Sequence, residues 1–98
     1  MNHYLILIKY TVPFSQVEPT LPVHREHLQR CVDAGILLVS GPRNPRTGGV
    51  VIARAESEQT IRKMIDDDPY KQQGLAEYEL IEFKPGKHQK FLADWIGA

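Results

Sequence analysis

One stretch of the chain has the pattern expected for the first turns of an amphipathic helix, and it reads Leu21-Pro22-Val23-His24-Arg25-Glu26-His27-Leu28. With successive residues about 100° apart around a helix, Leu21, His24 and Leu28 fall on one side. Charged residues such as Arg25 and Glu26 fall on the other. His24 therefore stands where an apolar side chain is expected. A histidine there is either a core residue whose ring hydrogen-bonds to a backbone carbonyl or part of a functional site, and this stretch alone favours neither.

A second stretch, Asp68-Pro69-Tyr70, shows the same kind of exception. It follows a predicted helix that Ser57 caps and whose inward side carries Ile61 and Met64. Asp68 continues that inward stripe, and Pro69 disfavours helical geometry at the residue before it, so the helix is predicted to end there. The helix dipole and desolvation both disfavour a carboxylate in that position. A neighbouring imidazolium would relieve both, so we expect Asp68 to have a basic partner.

The remaining segments have recognisable strand, loop and helix patterns. Residues 11–19 and the Gly- and Pro-rich residues 41–49 are predicted loops, the second of them a hairpin, and residues 70–74 a turn. Thr20 is expected to cap the first helix and Gly35 to end it. The predicted strands are 3–10, 36–40, 50–53 and 76–83, and a last short helix is predicted at 88–96.

The order strand, helix, strand, strand, helix, strand predicts an α+β fold. It corresponds to a ferredoxin-like βαββαβ unit, an antiparallel four-stranded sheet with both helices on one face. Residues 1–85 would form this domain and residues 86–98 a helical C-terminal extension. In that topology the start of the first helix, the end of the second and the hairpin tip share one edge. His24 and Asp68 should therefore meet there, together with Ser40, Gly41 and Arg43.

The sheet face without helices is also apolar in sequence, because residues 5–8 are apolar at both parities. A large apolar patch that is exposed on a protein surface usually marks an interface. We therefore expect a homodimer, or a higher homo-oligomer built on it, that buries sheet against sheet. The tail would extend this contact through one apolar helix face that carries Phe91, Leu92, Trp95 and Ile96.

Composition excludes several classes of protein. The chain has 98 residues, with 12 Lys and Arg balancing 12 Asp and Glu, so nucleic acid is not an expected partner. No apolar run is long enough to span a membrane, and no signal peptide is expected. The single Cys31, on the inward stripe and predicted to be a core residue, suggests a reducing cytoplasm. There is neither a Gly-rich phosphate loop nor a GxSxG motif, so no cofactor and no serine hydrolysis is predicted.

Two groups of residues have features of a metal site, and each also has a simpler interpretation. The acidic run 66–68 has the ligand type of a hard-cation site but is more often a solvated helix end. His24 and His27 have a zinc-compatible spacing without an evident third ligand, so His27 is predicted to be a surface histidine and no metal is expected. For Arg43 and Arg46 two interpretations are open, an anion-binding pair and part of a mobile hairpin tip, and the second is the one predicted.

Taken in order, the motifs resemble those of the YciI-like (YCII-related) family, small proteins of the dimeric α/β-barrel group. The matching residues are the apolar first strand, Pro22-x-His24-x-x-x-Leu28, Ala34-Gly35-x-Leu37, Ser40-Gly41-Pro42, Gly48-Gly49 and Asp68-Pro69-Tyr70. The resemblance covers residues 3 to about 84. The chain departs from the family pattern at Leu21, where members often carry Arg, and at Tyr70, where they often carry Phe.

The resemblance implies that His24 and Asp68 are a catalytic pair, with Asp68 orienting the ring and His24 carrying the proton. The candidate substrate contacts are Ser40, Gly41, Pro42 and Tyr70. Two of them have an open alternative: Ser40 either donates a hydrogen bond at the mouth of the site or only ends a strand, and Tyr70 either lines the pocket or only packs on it. The implied function is that of a cofactor-independent enzyme that eliminates from or isomerises a small cyclic or aromatic compound. Two alternatives stay open, a non-catalytic small-molecule binding or sensing protein that uses the same pocket, and an interaction protein whose dimer face is the functional surface.

Overall fold

The computed structural model describes residues 1–97. Four strands form a single sheet. The segments between them contain four helices and a 3₁₀ turn that leads into one of these helices, and the tail after the last strand contains a second 3₁₀ turn and a fifth helix. The elements are β1 (Asn2–Tyr10), α1 (Phe14–Val17), a 3₁₀ turn (Glu18–Thr20), α2 (Leu21–Asp33), β2 (Leu37–Pro42), β3 (Gly48–Ala55), α3 (Glu58–Asp66), α4 (Pro69–Gln72), β4 (Ala76–Phe83), a second 3₁₀ turn (Lys90–Leu92) and α5 (Ala93–Ile96).

The sheet has the strand order β2-β3-β1-β4, and every neighbouring pair is antiparallel. The central strand β1 pairs with both of its neighbours, so that Ile6 lies opposite Val51 on one side and Leu80 on the other. This is the order of a ferredoxin-like fold. The predicted α+β class and four-stranded antiparallel sheet are confirmed.

The two faces of the sheet differ in how they are covered. On β1, Tyr4, Ile6 and Ile8 point toward α2 and α3 and belong to the buried core. Leu5 and Leu7 point to the opposite face, which carries none of the helices between the strands, and are only half-buried. We call this opposite surface the helix-free face. Part of the apolar sheet therefore stays accessible in a single chain.

The predicted loop before the first long helix is wrong in detail. Residues 14–20 form α1 and the 3₁₀ turn, and the buried Val17 anchors them to the core. Because the 3₁₀ turn leads directly into α2, Thr20 already has helical angles and does not cap α2. Its hydroxyl instead donates to Oε1 of Gln73, 2.7 Å away.

The chain leaves helical geometry at Asp68, as Pro69 predicts. Helix α3 ends at Asp66, and Asp68 is extended, with φ −68° and ψ 124°. The following residues are not the predicted turn, because Pro69–Gln72 form the short helix α4. The fixed φ of proline suits the first position of a helix, so Pro69 ends one helix and begins the next.

The hairpin between β2 and β3 is shorter than predicted. Both strands continue into the predicted loop, so that Gly41 pairs with Val50 and Pro42 with Gly49. Pro42 is tolerated because β2 is an edge strand. Gly48 is required by a close approach, since a Cβ atom there would lie 1.7 Å from the carbonyl oxygen of Ile8.

The tail after β4 folds back onto one end of the helix-free face. The predicted helix 88–96 is present only as the 3₁₀ turn and α5. Trp95 packs edge-on against His3 with ring centroids 5.3 Å apart, and the guanidinium of Arg54 lies 5.2 Å from its ring. Phe91 is 82% exposed, so the predicted common apolar face is not formed. Ala98, in the predicted extension, lies outside the described residues.

None of the helices in residues 1–97 has the combination of length and apolar character that crossing a membrane requires.

Candidate active site

His24 lies in the first turns of α2 with its side chain turned toward the interior. Only 7% of the residue is exposed. Its Nδ1 lies 2.8 Å from Oδ1 of Asp68. An ionised carboxylate only accepts hydrogen bonds, so Nδ1 of His24 carries the hydrogen and donates it. The predicted proximity of these two residues, 44 positions apart in sequence, is present in the structure.

Asp68 is more deeply enclosed than its partner, with 2% of the residue exposed. Its Oδ1 accepts a second hydrogen bond from the backbone N–H of Tyr70 at 3.0 Å. The expectation that a helix dipole disfavours this carboxylate is wrong. Asp68 lies past the end of α3 and caps the N-terminus of α4. That position favours a carboxylate. Its charge is therefore stabilised by a backbone amide as well as by His24.

Tyr70 forms a wall against the imidazole of His24. The two rings are stacked, with centroids 3.8 Å apart and 7° between their planes. Tyr10 meets the other ring edge-on at 5.9 Å. Burial raises the pKa of Tyr70 above its ordinary value of 10.0, and the neighbouring Tyr10 adds to that rise. The phenol therefore stays neutral, and the His24 ring is confined on one face.

His27, one helical turn after His24, is not the surface residue that its spacing suggested. It is 6% exposed, and its Nε2–H donates to the carbonyl oxygen of Met64 at 2.8 Å. This carbonyl belongs to the last turn of α3, where backbone oxygens lack helical partners. His27 thereby joins α2 to α3 beside the contact that His24 makes with Asp68.

A pocket opens on the other side of His24, with a volume of about 180 Å³. It lies between α2, the hairpin and the end of β1. Its lining includes five of the six residues predicted to be catalytic or substrate-binding, which are His24, Ser40, Gly41, Pro42 and Tyr70. Asp68 is not part of this lining and lies behind the imidazole, while Arg43 does not reach the pocket.

The lining also contains two cationic residues, Arg25 and Arg46. The sequence prediction favours a mobile hairpin tip for Arg46 and gives no site role to Arg25. Arg25 directly follows His24 in α2; it is exposed, as helical periodicity predicts, and it also lines the pocket. The Arg46 guanidinium lies 4.3 Å from the centre of the Phe14 ring, so its hairpin packs on α1. The signal that could have indicated this is the Gly48-Gly49 pair, which lets the hairpin approach β1 and carries Arg46 with it.

The other polar residues near the site belong to the core or to surface ion pairs. Cys31 is a buried core residue as predicted, and burial raises the pKa of its thiol above 9.0. Asp66 and Asp67 face solvent and pair with Lys71 and Lys63. Within residues 1–97, no three His, Cys, Asp or Glu side chains are grouped so as to hold a metal ion.

The fold and this site define a ferredoxin-like α+β domain with an enclosed His–Asp pair beside a small pocket. The chain belongs to the family of the YCII-related domain, whose family model matches residues 2–84.

Several known proteins are similar to the chain, among them the following two. It is 36% identical over 66 residues to the derivative of benzaldehyde biosynthesis cluster protein C of Emericella nidulans, a match covering 56% of this chain and 67% of that protein. Its fold matches that of 5-chloro-2-hydroxyhydroquinone dehydrochlorinase from Burkholderia phenoliruptrix AC1100, solved in complex with 2,5-dihydroxybenzoquinone. The TM-score is 0.72 at 23% identity, over 91% of this chain and 97% of that one. At this identity the likeness shows a shared fold.

Proposed function

We propose that the chain is a cofactor-independent enzyme in which His24, held by Asp68, transfers a proton on a small cyclic or aromatic compound. The observation that carries the proposal is that the two nitrogens of the His24 ring differ in their hydrogen bonding. Nδ1 is bound to an enclosed carboxylate, and this is the one hydrogen bond that the ring makes within residues 1–97, so Nε2 is free while His24 lines the pocket.

This arrangement suits Nε2 to act as a general base. Because Nδ1 carries the hydrogen, the neutral ring has its free lone pair on Nε2. When Nε2 accepts a proton from the substrate, the carboxylate of Asp68 stabilises the imidazolium that forms. In an elimination the leaving group departs with its electron pair. In an isomerisation the same nitrogen returns the proton at another substrate atom.

The size of the pocket supports a small substrate. Pockets for drug-sized ligands enclose about 300–1,000 Å³, and this one encloses about 180 Å³. The two similar proteins are named for single-ring aromatic compounds, a benzaldehyde derivative and a chlorinated hydroxyhydroquinone. Ser40, Gly41, Pro42 and Tyr70 are the residues that we propose to contact such a ring.

The first experiment measures chloride release from 5-chloro-2-hydroxyhydroquinone, alongside exchange of ring hydrogens with solvent deuterium in unchlorinated hydroxyhydroquinones. Wild type should turn over at least one of these compounds, and His24→Gln should lose the activity. His27→Gln is the matched control, because it removes a buried histidine from the same helix outside the lining and keeps an N–H donor for Met64. Equal loss in both variants would indicate a folding defect and would argue against the proposal.

The competing proposal is a non-catalytic binding protein that uses the same pocket. The contacts of His24 would then serve recognition, with Nε2 donating to or accepting from the ligand. Saturable binding of a ring compound at the pocket, with no chemical change in the ligand and no deuterium exchange, would favour this alternative.

We also propose that the protein is a homodimer, joined through the helix-free face. The support is an exposed apolar surface. Val39 is 53% exposed, Phe83 40% and Ile81 37%, and the register puts them on the same face as Leu5. A second copy would cover this surface without another protein. A cytoplasmic location, which the single Cys31 suggests, is a separate proposal.

A further inference from the structure

The pocket beside His24 carries positive charge from two directions. Arg25 reaches it from α2 and Arg46 from the hairpin. Within the described part of the chain, no Asp or Glu side chain contributes to the lining. The Asp68 carboxylate is 2% exposed and lies behind the imidazole. A cleft lined by one sign of charge concentrates ligands of the opposite sign.

Neither arginine has an acidic partner among residues 1–97, although the whole chain has as many acidic as basic residues. The ion pairs that do form at the surface use other cations, such as Arg62 with Glu58 and Lys63 with Asp67. The guanidinium groups at the pocket are therefore left with their hydrogen-bond donors available.

Arg46 is also positioned by contacts outside the pocket. Its guanidinium lies over the ring of Phe14 at 4.3 Å, a favourable cation–π geometry. The next residue, Thr47, accepts a hydrogen bond from the backbone N–H of Tyr10 at 2.9 Å, which ties the hairpin to the end of β1. These contacts reduce the freedom that Arg46 would lose on binding a ligand.

We infer that the pocket takes a single-ring compound carrying an anionic group, a carboxylate or phenolate, and that Arg46 is the residue that selects for this charge. The inference rests on the proposed use of this pocket and adds the class of its ligand. Arginine suits the role because its planar set of donors matches the two oxygens of a carboxylate. With its anionic group at Arg46, the ring would present another atom to Nε2 of His24.

Equilibrium binding of two probes of nearly equal shape tests this without requiring turnover. Benzoate carries the charge and benzamide does not. NMR titration of the ¹⁵N-labelled full chain gives both dissociation constants, and the amides of Gly41, Gly48 and Gly49 report whether each probe occupies the pocket. Wild type should prefer benzoate, and that preference should shrink as salt is added.

Arg46→Gln should weaken benzoate binding about tenfold and leave benzamide binding within about twofold. Arg43→Gln is the matched control, because it removes the same charge from the same hairpin at a residue outside the pocket lining. It should leave both constants unchanged. Arg46→Lys should retain part of the preference for benzoate, since it keeps the charge and loses the planar donors.

Three results would overturn the inference. The first is equal affinity of wild type for the two probes, including no binding of either. The second is an equal loss for both probes in Arg46→Gln, which would mean that the side chain only packs on Phe14. The third is an equal effect of Arg43→Gln and Arg46→Gln. If the proposed proton transfer is wrong, binding and its charge preference remain while turnover is absent, so the two failures are distinguishable.

Discussion

The imidazole of His24 lies parallel to the phenol ring of Tyr70, with the ring centroids 3.8 Å apart. One atom holds both residues in this arrangement. Oδ1 of Asp68 accepts from Nδ1–H of His24 and from the backbone N–H of Tyr70. The orientation of the imidazole and the start of α4 are therefore coupled through a single carboxylate oxygen, and a change at Asp68 should affect both.

Asp68→Asn is expected to lower any proton-transfer activity about 10²- to 10⁴-fold, the range that a positioned acid–base group contributes. The amide has a similar shape but does not stabilise an imidazolium, and its NH₂ group can favour the other ring nitrogen as the protonated one. The free energy of unfolding should fall by about 1.5–3 kcal/mol with the loss of a charged hydrogen bond. Steady-state kinetics and urea denaturation measure the two effects. Full activity in this variant would remove Asp68 from the mechanism.

Pro69→Ala should leave the protein folded and weaken ligand binding severalfold. Pro69 keeps Asp68 out of helical geometry, and alanine allows α3 to extend through it, which would turn the carboxylate away from His24. Benzoate titration and circular dichroism measure the outcome. Pro85→Ala, beyond β4 and outside the pocket lining, is the control. Identical binding in both variants would show that Pro69 does not hold the site.

Stability should decline as the pH rises above about 10. Burial raises the pKa of Tyr78 above its ordinary value of 10.0, with the charge of Asp68 adding to the rise, and burial also raises the pKa of Tyr70. The unfolded chain therefore loses these two phenol protons at lower pH than the folded chain. The stability that the protonated phenols contribute is complete below pH 10 and is lost as the pH rises toward their pKa values in the folded state. Urea unfolding from pH 8 to 11 measures the slope, which Tyr78→Phe should reduce. An unchanged slope would mean that Tyr78 ionises freely in the folded state.

Gly48→Ala should be strongly destabilising, by about 1–3 kcal/mol or more, because its Cβ would overlap the backbone of Ile8 and push the hairpin away from β1. Gly41→Ala is the matched control in the same hairpin, since a Cβ there meets nothing within 4 Å. Thermal or urea unfolding measures the difference. Equal stability of the two variants would contradict the close approach of β3 to β1.

The dimer is tested by sedimentation of the full chain at micromolar concentration. Ile81→Glu puts a charge on the helix-free face and should shift the protein toward monomer. Val32→Glu makes a similar change at an exposed apolar residue of α2 and should leave the assembly intact. A wild-type protein that sediments as a monomer would refute the proposed interface.

The main elements of the site were predictable because they depend on local rules and topology. Helical periodicity identified His24 and Asp68 as exceptions, Pro69 fixed the end of α3, and the order of elements brought them to one edge. The burial of His27 was not predictable in this way, because it depends on an open carbonyl of a different helix. Arg46 reaches the pocket through long-range pairing of the hairpin with β1, and the Gly48-Gly49 pair indicates this close approach without showing which side chain it brings to the pocket.

The hydrogen bonds of His24 and His27 have a spectroscopic consequence. His24 donates from Nδ1 to a carboxylate, and His27 donates from Nε2 to the carbonyl oxygen of Met64, an atom that only accepts. When both rings are neutral, two histidines one turn apart on α2 are therefore opposite tautomers. Their ring ¹⁵N shifts should follow opposite patterns, which makes the two residues distinguishable in a single spectrum. The arrival of a second proton at Nε2 of His24 should then be observable directly, with His27 as the internal reference.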